Sequence, residues 1–531
     1  MTCKILKNCQ NRNRNQFSEI LEELPVNLSK NNPTFSLLLT LFLLIPSLVN
    51  GSWKEEFQAK FSSPNSWEKE EAIEQLDGNQ LPQLKLLLSL LNSKEWYIRQ
   101  AAWKKIAQIE NQNALNLLKK ELRKRSRRRY KIREGIVIAI TQKKDRTFLP
   151  LLIRLLKDSS WQVVRSTAKA LAAMPDKRSI SPLIQCWKKH KKRLRVWVYV
   201  RIALEKITGR FLGNDYKRWQ NWWKLQKNSF QIGQKNDNST AEEQGYKTKR
   251  QQTVLRGVGL NFATRGRGRA IFVLPDYGYN EHYLMPYLAP LEANFKLYYI
   301  KLPPVSSFQN LPRQAGRVVY PIDQLVDAFE ELRIKHNQKK IAILGHGVSA
   351  WVAMKYAIKY PQSVRALILV AAFSGQMAYT RGVTAVESKG RELNDIEMEH
   401  FAQSLQIQMN GQPKYQAQSM QESMALMRKE WTLRFADQSD SELGELFEKS
   451  YKPDAEAIVP PFELRKYPVS FPIPTLVILG KHALMTSAQD GQAIAKHFGG
   501  KSRCFLFPIS RRMPFIEENR RFIRYVRAFL R

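Results

Sequence analysis

Three side chains are the best candidates for covalent chemistry in this chain. The segment GHGVSAWVAMKYAIKYP (345–361) contains Ser349, whose hydroxyl could act as a nucleophile, and His346, which could accept its proton. His482 is an alternative base from a later part of the sequence. A serine needs such a base, because its hydroxyl is a weak nucleophile near neutral pH. These residues would support nucleophilic catalysis if the fold brings them together.

Two runs of basic residues are candidates for binding an anion. Between Lys119 and Arg133 there are ten lysines and arginines against one acid, Glu121, and between Lys188 and Arg195 there are six and no acid. The whole chain has a formal net charge of +39, which favours anionic partners. The alternative is a solvated helix surface in a basic protein. The residues that we expect to bind an anion are Arg123, Lys124, Arg125, Arg127, Arg128, Arg129, Lys188, Lys189, Lys191 and Lys192.

The cysteines and histidines show no pattern typical of a metal site. Cys3, Cys9, Cys186 and Cys504 have neither C-x-x-C spacing nor a neighbouring histidine ligand pattern. We therefore expect no metal, no cofactor and no disulfide framework. Cys186 and Cys504 are expected to be buried free thiols.

The first 51 residues are expected to be a polar N-terminus followed by a signal peptide or membrane anchor. The uncharged apolar run 35–49 is shorter than the ~20 residues that a membrane-spanning helix needs, and Val49-Asn50-Gly51 could form a cleavage site. We expect an exported, periplasmic or membrane-tethered protein, and a cytoplasmic one if the run is instead a buried core helix. Export makes a nucleic-acid partner improbable and an anionic envelope component or a protein more suitable.

Residues 52–228 have a helical pattern that repeats every 30 to 35 residues. Ile98-Arg99, Ile132-Arg133 and Val164-Arg165 begin similar runs of small and apolar residues. Each helical pair has an apolar face that only a neighbouring pair can cover, which indicates a stacked array. The pattern V-R-x-x-A-x-A-L (164–171) resembles that of bacterial HEAT repeats. This resemblance implies a scaffold for protein or anionic partners.

The helical part is predicted to end with a tryptophan-rich helix and a linker. Trp219, Trp222 and Trp223 lie on one helical face and would cover the open end of the array. Residues 229–255 lose the apolar periodicity and become polar, which is typical of a linker.

From Arg269 onward, short apolar runs alternate with helical stretches, which predicts a mostly parallel, doubly wound sheet. The segment 345–361 resembles the strand-turn-helix that carries the nucleophile in α/β hydrolases, and the resemblance extends over residues 256–531. We therefore expect a multidomain protein, with an all-α HEAT-like solenoid followed by an α/β-hydrolase fold. Residues 374–471, rich in methionine and glutamine, would form a helical lid.

The same resemblance implies that all three catalytic positions are substituted. Gly347 takes the place of the nucleophile, Ala483 that of the acid and Arg512 that of the base. Glycine has no attacking atom, and arginine stays protonated and cannot accept a proton. Asp276 would bring a negative charge to the loop that normally stabilises a developing oxyanion, which opposes catalysis.

Three functional hypotheses follow. The preferred one is a pseudoenzyme that binds a ligand without turnover, in a pocket lined by Asp276, Tyr277 and Val348, with a small apolar ligand beneath the lid. The second is an active esterase or lipase that uses Ser349 as a relocated nucleophile with His346 or His482. The third is a purely structural assembly scaffold.

Overall fold

The computed structural model describes residues 53–233, 246–381 and 462–531, with short gaps at 64–65, 310, 312, 315–316, 379, 469–471 and 484, and a few residues between 444 and 458. The predicted targeting segment and most of the predicted lid lie outside these residues. No helix within the described part of the chain is both long and apolar enough to cross a bilayer.

The N-terminal part is helical, and its first described helix is α1 (Ser66–Glu74), which spans the boundary between two compact units at Ala72 and Ile73. The helices that follow form the array. They are α2 (Leu81–Leu90), α3 (Trp96–Ala107), α4 (Gln112–Arg123), α5 (Tyr130–Lys143), α6 (Leu149–Leu155), α7 (Trp161–Ala173), α8 (Ile180–His190), α9 (Leu194–Thr208) and α10 (Tyr216–Gln226). Local signals set several ends. The side chain of Asn111 accepts hydrogen bonds from the first turn of α4, and Gly209 ends α9 at a φ of 68°.

An arginine recurs at a buried position in successive repeats. Arg99, Arg133 and Arg165 are each only 1% exposed. Arg133 pairs with Asp158 through two contacts of 2.9 and 3.1 Å, and Arg165 contacts Glu134 at 3.2 Å. Arg99 and Arg133 also donate to backbone carbonyls in the turn before their own helix. The repeated Ile/Val-Arg pair therefore has a structural cause, since the arginine side chains form buried contacts that hold the array together.

The tryptophan face of α10 covers the end of the array, as the sequence predicts. Trp219 and Trp223 are 0% and 7% exposed. The indole N–H of Trp223 donates to the Ser181 hydroxyl in α8 at 2.8 Å. Trp222 packs edge-on against Phe230, with ring centroids 5.7 Å apart.

The C-terminal part is built on an eight-stranded sheet. Its strands are β1 (Lys249–Leu255), β2 (Val258–Gly266), β3 (Arg269–Leu274), β4 (Phe295–Lys301), β5 (Ile341–His346), β6 (Val364–Val370), β7 (Thr475–Gly480) and β8 (Arg503–Phe507). The spatial order is β1-β2-β4-β3-β5-β6-β7-β8, and every pair from β4 to β8 is parallel. The helices of this part are α11 (Met285–Leu288), α12 (Ile322–Lys335), α13 (Ser349–Lys359), α14 (Ala488–Phe498), α15 (Pro514–Glu517) and α16 (Asn519–Phe529).

The prediction that residues 229–255 form a linker was wrong for the C-terminal end of this range. Its last seven residues form β1, which pairs antiparallel with β2 from Lys249↔Thr264 to Leu255↔Val258. β1 lies at the edge of the sheet, and most of its side chains are exposed. A strand that buries neither face has no alternation of apolar and polar residues, so the sequence pattern did not reveal it.

A buried ring of charges joins the helical array to the sheet. Arg201 of α9 contacts Glu292, which precedes β4, at 3.0 Å, and Glu292 contacts Arg265 of β2 at 3.1 Å. Glu205 of α9 lies 3.5 Å from Arg265 and 3.7 Å from Arg201. All four side chains are at most 8% exposed. Burial alone would lower the pKa of Arg265, but Glu292 and Glu205 raise it above its ordinary value.

Candidate functional site

The strands β3 and β5 are neighbours, and the loops at their carboxyl ends form the candidate site. β5 ends at His346 and α13 begins at Ser349, so the turn between them consists of Gly347 and Val348. Gly347 has a φ of +60°, a backbone conformation that glycine adopts without steric cost. This sharp turn from strand to helix presents position 347 at the edge of the sheet, as the nucleophile turn of α/β hydrolases does.

The carboxylate of Asp276, which follows β3, lies directly over Gly347. Its Oδ1 accepts hydrogen bonds from the backbone N–H groups of Val348 and Tyr277, each at 3.0 Å. A Cβ atom added to Gly347 would lie 2.2 Å from that same oxygen. The carboxylate therefore occupies the space that a side chain at position 347 would need.

Arg512 completes the binding of this carboxylate. Its Nη2 donates to Asp276 Oδ2 at 2.6 Å, and its Nη1 lies 3.7 Å from the sulfur of Met485. The two side chains of the ion pair are 14% and 4% exposed. Asp276 thus receives two backbone donors on one oxygen and a guanidinium on the other. These charge-assisted contacts replace the water that a buried carboxylate loses.

His346 is buried and is linked to the backbone of Arg512 directly and to the backbone of Asp276 through Tyr283. Its Nε2 lies 3.2 Å from the Arg512 carbonyl oxygen, which can only accept, so we assign the proton of a neutral ring to Nε2. Its Nδ1 then accepts from the Tyr283 hydroxyl at 2.8 Å. That hydroxyl oxygen in turn accepts from the Asp276 backbone N–H at 2.7 Å. Both ring nitrogens of His346 are therefore engaged in positioning this site.

The structure does not bring Ser349 and the histidines together as a catalytic set. Ser349 is 1% exposed, and its hydroxyl donates to the Pro275 carbonyl oxygen at 2.5 Å. It thereby supports the turn after β3, because it holds the residue that precedes Asp276. His482 is exposed, and its backbone N–H donates to the Ser510 carbonyl oxygen at 3.1 Å. That contact fixes the turn after β7 without involving the imidazole.

Ala483 follows β7 and offers no carboxylate. Its backbone N–H donates to the Gly480 carbonyl oxygen at 3.1 Å and closes a tight turn. The described part of the chain contains no cluster of three or more histidine, cysteine or acidic side chains that could hold a metal ion. Burial raises the pKa of the Cys186 thiol to about 12 and that of Cys504 to about 11. Both cysteines are free; Cys186 is buried, as predicted, whereas Cys504 is only partly buried.

Taken together, these contacts place the Asp276 carboxylate over the turn where the resemblance to α/β hydrolases predicts the nucleophile position. The N–H groups of Val348 and Tyr277 are placed as oxyanion donors would be, but they bind the carboxylate of Asp276. Arg512 donates to Asp276, and a guanidinium has no acceptor atom for a hydrogen bond. The predicted pocket residues Asp276, Tyr277 and Val348 do meet, but they bind one another. From the sequence, Asp276 was expected to oppose catalysis, but its pairing with Arg512 was not foreseen.

Tyr356 of α13 and Tyr360, which directly follows this helix, connect it, and thereby the turn at Gly347, to α12. The Tyr356 hydroxyl donates to Glu330 at 2.5 Å, and the Tyr360 hydroxyl donates to Asp327 at 2.7 Å. Arg333 pairs with Glu330 at 2.6 Å. Burial and the hydrogen bond to Glu330 raise the pKa of Tyr356 well above its ordinary value, so it remains a donor.

The predicted anion-binding residues fall into different environments. Lys124, Arg128 and Arg129 line one cleft together with Lys85 and Lys120, which the sequence reasoning did not include among the binding residues. Lys85 lies on α2, in the preceding repeat, so no local run of charge pointed to it. Exposed side chains make up the rest of the predicted set: Arg123, Arg125, Arg127, Lys188, Lys189, Lys191 and Lys192.

Two family models match the chain. A model of HEAT repeats matches residues 121–200, and a model of the α/β-hydrolase fold matches residues 275–519. A 1-acylglycerol-3-phosphate O-acyltransferase of Arabidopsis thaliana is 38% identical over 81 residues, which are 14% of this chain and 19% of that protein. The match therefore spans about a fifth of the length of this relative.

Solved structures are similar to about half of this chain. An α/β-fold family hydrolase from Bacillus anthracis str. Sterne is 17% identical and covers 53% of this chain and 99% of its own, with a TM-score of 0.42. An esterase from Exiguobacterium antarcticum is 14% identical with the same two coverages and a TM-score of 0.36. The matched family models and the observed topology establish that this chain combines HEAT repeats with an α/β-hydrolase-fold domain.

Proposed function

We propose that this protein is a non-catalytic member of the α/β-hydrolase fold that acts by binding, with its HEAT array as the scaffold for a protein or anionic partner. The observation that supports it is the Asp276 carboxylate, which lies over Gly347 and is bound by Arg512 and two backbone N–H groups. A substrate carbonyl would have to displace this carboxylate from the oxyanion donors. No side chain at position 347 would then be available to attack it.

The alternative of an active esterase or lipase requires Ser349 to leave a buried hydrogen bond. Its hydroxyl donates a hydrogen bond to the Pro275 carbonyl oxygen, and the imidazole of His346 is engaged with Tyr283 and the Arg512 carbonyl. Relocated catalysis would need both sets of contacts to break before any proton transfer. No observation favours this arrangement over the binding function.

The proposed absence of turnover is tested with a fluorophosphonate probe and with short-chain p-nitrophenyl esters. We expect no covalent adduct and no ester hydrolysis above the background rate, because triad residues act as a unit and all three positions are substituted. An adduct that disappears in the Ser349→Ala variant would establish the esterase alternative. An adduct that persists in that variant would point to another nucleophile and would equally reject the proposal.

A binding module differs from a purely structural scaffold in its response to a ligand. We propose that the hydrolase-fold domain binds a small apolar molecule beneath the segment 374–471. Dodecanol is a suitable probe, since anything that binds only the native state raises the melting temperature by mass action. A rise that saturates with dodecanol concentration supports the binding function. An unchanged melting temperature across a series of chain lengths favours the scaffold.

Export is a further part of the proposal and rests on the sequence of residues 35–49. N-terminal sequencing of the protein from a bacterial envelope fraction tests it. We expect a mature chain that begins near Ser52, or an uncleaved chain retained in the membrane fraction. A full-length chain found in the cytoplasmic fraction would contradict export.

A further inference from the structure

A cationic cleft lies on the HEAT array, between α2, α4 and the start of α5. It has a volume of about 590 Å³, which is within the range of small-molecule sites. Its floor contains Leu88, Leu117 and Ile132, one from each of the three helices. Its polar rim combines side chains from successive repeats. The cleft therefore exists only in the folded array.

Five cations and one carboxylate line this cleft. The cations are Lys85, Lys120, Lys124, Arg128 and Arg129, and the carboxylate is that of Glu121. The lining residues therefore have a formal net charge of +4, from five positive charges and one negative charge. Like charges gathered at this density repel one another, and an anion that enters the cleft relieves the repulsion.

Glu121 positions two of the cations. It is buried, and it contacts Lys124 Nζ at 2.5 Å and Arg129 Nη2 at 2.9 Å. This carboxylate is shared between two cations, so it compensates only part of their charge. Both cations are about two-fifths exposed, which leaves donors directed toward solvent.

The other three cations have exposed side chains and no carboxylate partner within the described residues. Lys85 comes from α2, Lys120 from α4, and Arg128 from the turn before α5. Donors that converge from three elements suit a ligand with several acceptor oxygens and more than one negative charge. A phosphate monoester has both properties, whereas a single carboxylate has two oxygens and one charge.

We propose that this cleft binds the phosphate group of a ligand, either a soluble phosphate ester or a lipid headgroup. The inference deepens the proposed role of the HEAT array as a scaffold for anionic partners and rests on that part of the proposed function. It does not depend on whether the hydrolase-fold domain is catalytic. The apolar floor would contact the part of the ligand that carries the phosphate.

The test compares two triple variants of the full chain that lose the same charge. The cleft variant is Lys85→Gln, Lys120→Gln, Arg128→Gln, which leaves Glu121 and its two partners intact. The control is Lys217→Gln, Lys224→Gln, Lys227→Gln, which removes three exposed cations at α10, outside every predicted anion-binding set. Binding of glycerol 3-phosphate is measured by calorimetry at about 0.15 M salt, where long-range attraction is screened. Flotation with phosphatidylcholine vesicles, with and without phosphatidic acid, provides the lipid arm.

We expect the cleft variant to lose affinity at least about tenfold and the control to keep it, because one charged hydrogen bond contributes about that factor. Binding of the soluble ester identifies a free phosphate ligand, and binding of the phosphatidic acid vesicles alone identifies a lipid headgroup. Equal losses in the two variants would show attraction by net charge and would overturn the proposal. So would failure of the native protein to bind either probe. Neither result bears on the fluorophosphonate experiment, so the two proposals fail separately.

Discussion

At the scale of single residues, Asp276, Gly347 and Arg512 form one mutually dependent set. A buried carboxylate is costly unless it is paired, and Arg512 and two backbone N–H groups provide the pairing. The carboxylate in turn leaves no room for a side chain at position 347. Gly347 and Arg512 are therefore linked through Asp276, which neither position alone would suggest.

Removal of Arg512 should strongly destabilise the fold. In the Arg512→Met variant, the Asp276 carboxylate keeps its buried position without its guanidinium partner. We expect the free energy of unfolding to fall by about 3–5 kcal/mol, as for other buried ion pairs that lose one member. Urea titration measures the change. The exposed Arg503→Met variant is the control and should change stability by no more than about 0.5 kcal/mol. Similar losses in the two variants would contradict a structural role for the pair.

A serine introduced at position 347 should conflict with Asp276. The Gly347→Ser variant places a Cβ against the carboxylate and a non-glycine residue at a positive φ, which alone costs about 1–3 kcal/mol. We expect the destabilisation caused by Gly347→Ser to be smaller in an Asp276→Gly background by about 1–3 kcal/mol, because the clash is gone. A double-mutant cycle of unfolding free energies measures this coupling. Additive effects would show that Asp276 does not occupy the space over residue 347.

At the scale of elements, the turn at the site depends on how α13 is held. Glu330 of α12 accepts from Arg333, from the Tyr356 hydroxyl and from the Ser363 hydroxyl. Burial alone would raise the pKa of Glu330, but these hydrogen bonds outweigh it and hold the pKa below its ordinary value. The helix α13, which follows Gly347, is thus held to α12 by a hydrogen bond from Tyr356 to the ionised carboxylate of Glu330.

The hydrogen bonds that Glu330 accepts predict that the stability of the fold depends on pH. A carboxylate whose pKa is lowered by folding stabilises the native state above its unfolded pKa of about 4.3, and the contribution is lost as the pH falls through the lower, folded pKa. The Glu330→Gln variant should therefore be less stable than the native protein at neutral pH, and the difference should shrink as the pH falls below about 4. Urea titrations across this range measure it. A difference that stays constant throughout would contradict the role of the ionised form.

At the scale of the whole molecule, the HEAT array and the sheet belong to one compact unit that extends from Ile73 to Arg531. The charge ring of Arg201, Glu205, Arg265 and Glu292 lies at their junction, with two cations balanced by two carboxylates. Arg195 of α9 also donates to the Ile516 carbonyl oxygen in α15, which closely follows Arg512 in the sequence. The two parts are therefore joined by specific buried contacts as well as by the peptide chain.

The two carboxylates of the ring should contribute unequally. Glu292 is fully buried and contacts both arginines at 3.0 and 3.1 Å, whereas the contacts of Glu205 are 3.5 and 3.7 Å long. We expect Glu292→Gln to lower the free energy of unfolding by about 3–5 kcal/mol and to increase amide hydrogen exchange in α9 and β2. Glu205→Gln is the matched control and should have a clearly smaller effect. An equal or larger effect of Glu205→Gln would contradict this account of the junction.

The sequence by itself determined the two kinds of architecture and predicted which residue lies at the strand-to-helix turn of the site. Helical repeats and alternating strands are local periodicities, and the elbow pattern around Gly347 places that residue in register without any long-range information. The edge strand β1 escaped detection because it buries neither face. Ser349 and His346 were recognised as polar groups at the turn, but their hydrogen-bond partners were not predictable from their positions in the chain.

Only the tertiary structure decided which charges meet. Asp276 and Arg512 are 236 residues apart in the sequence, and Arg201 and Glu292 are 91 apart, yet each pair forms a buried contact. The cationic cleft likewise joins Lys85 to a basic run in the next repeat. A buried charge must find its partner wherever the packing of distant elements places one, because water is no longer available to solvate it. That choice depends on how helices and strands pack, and local sequence patterns do not record it.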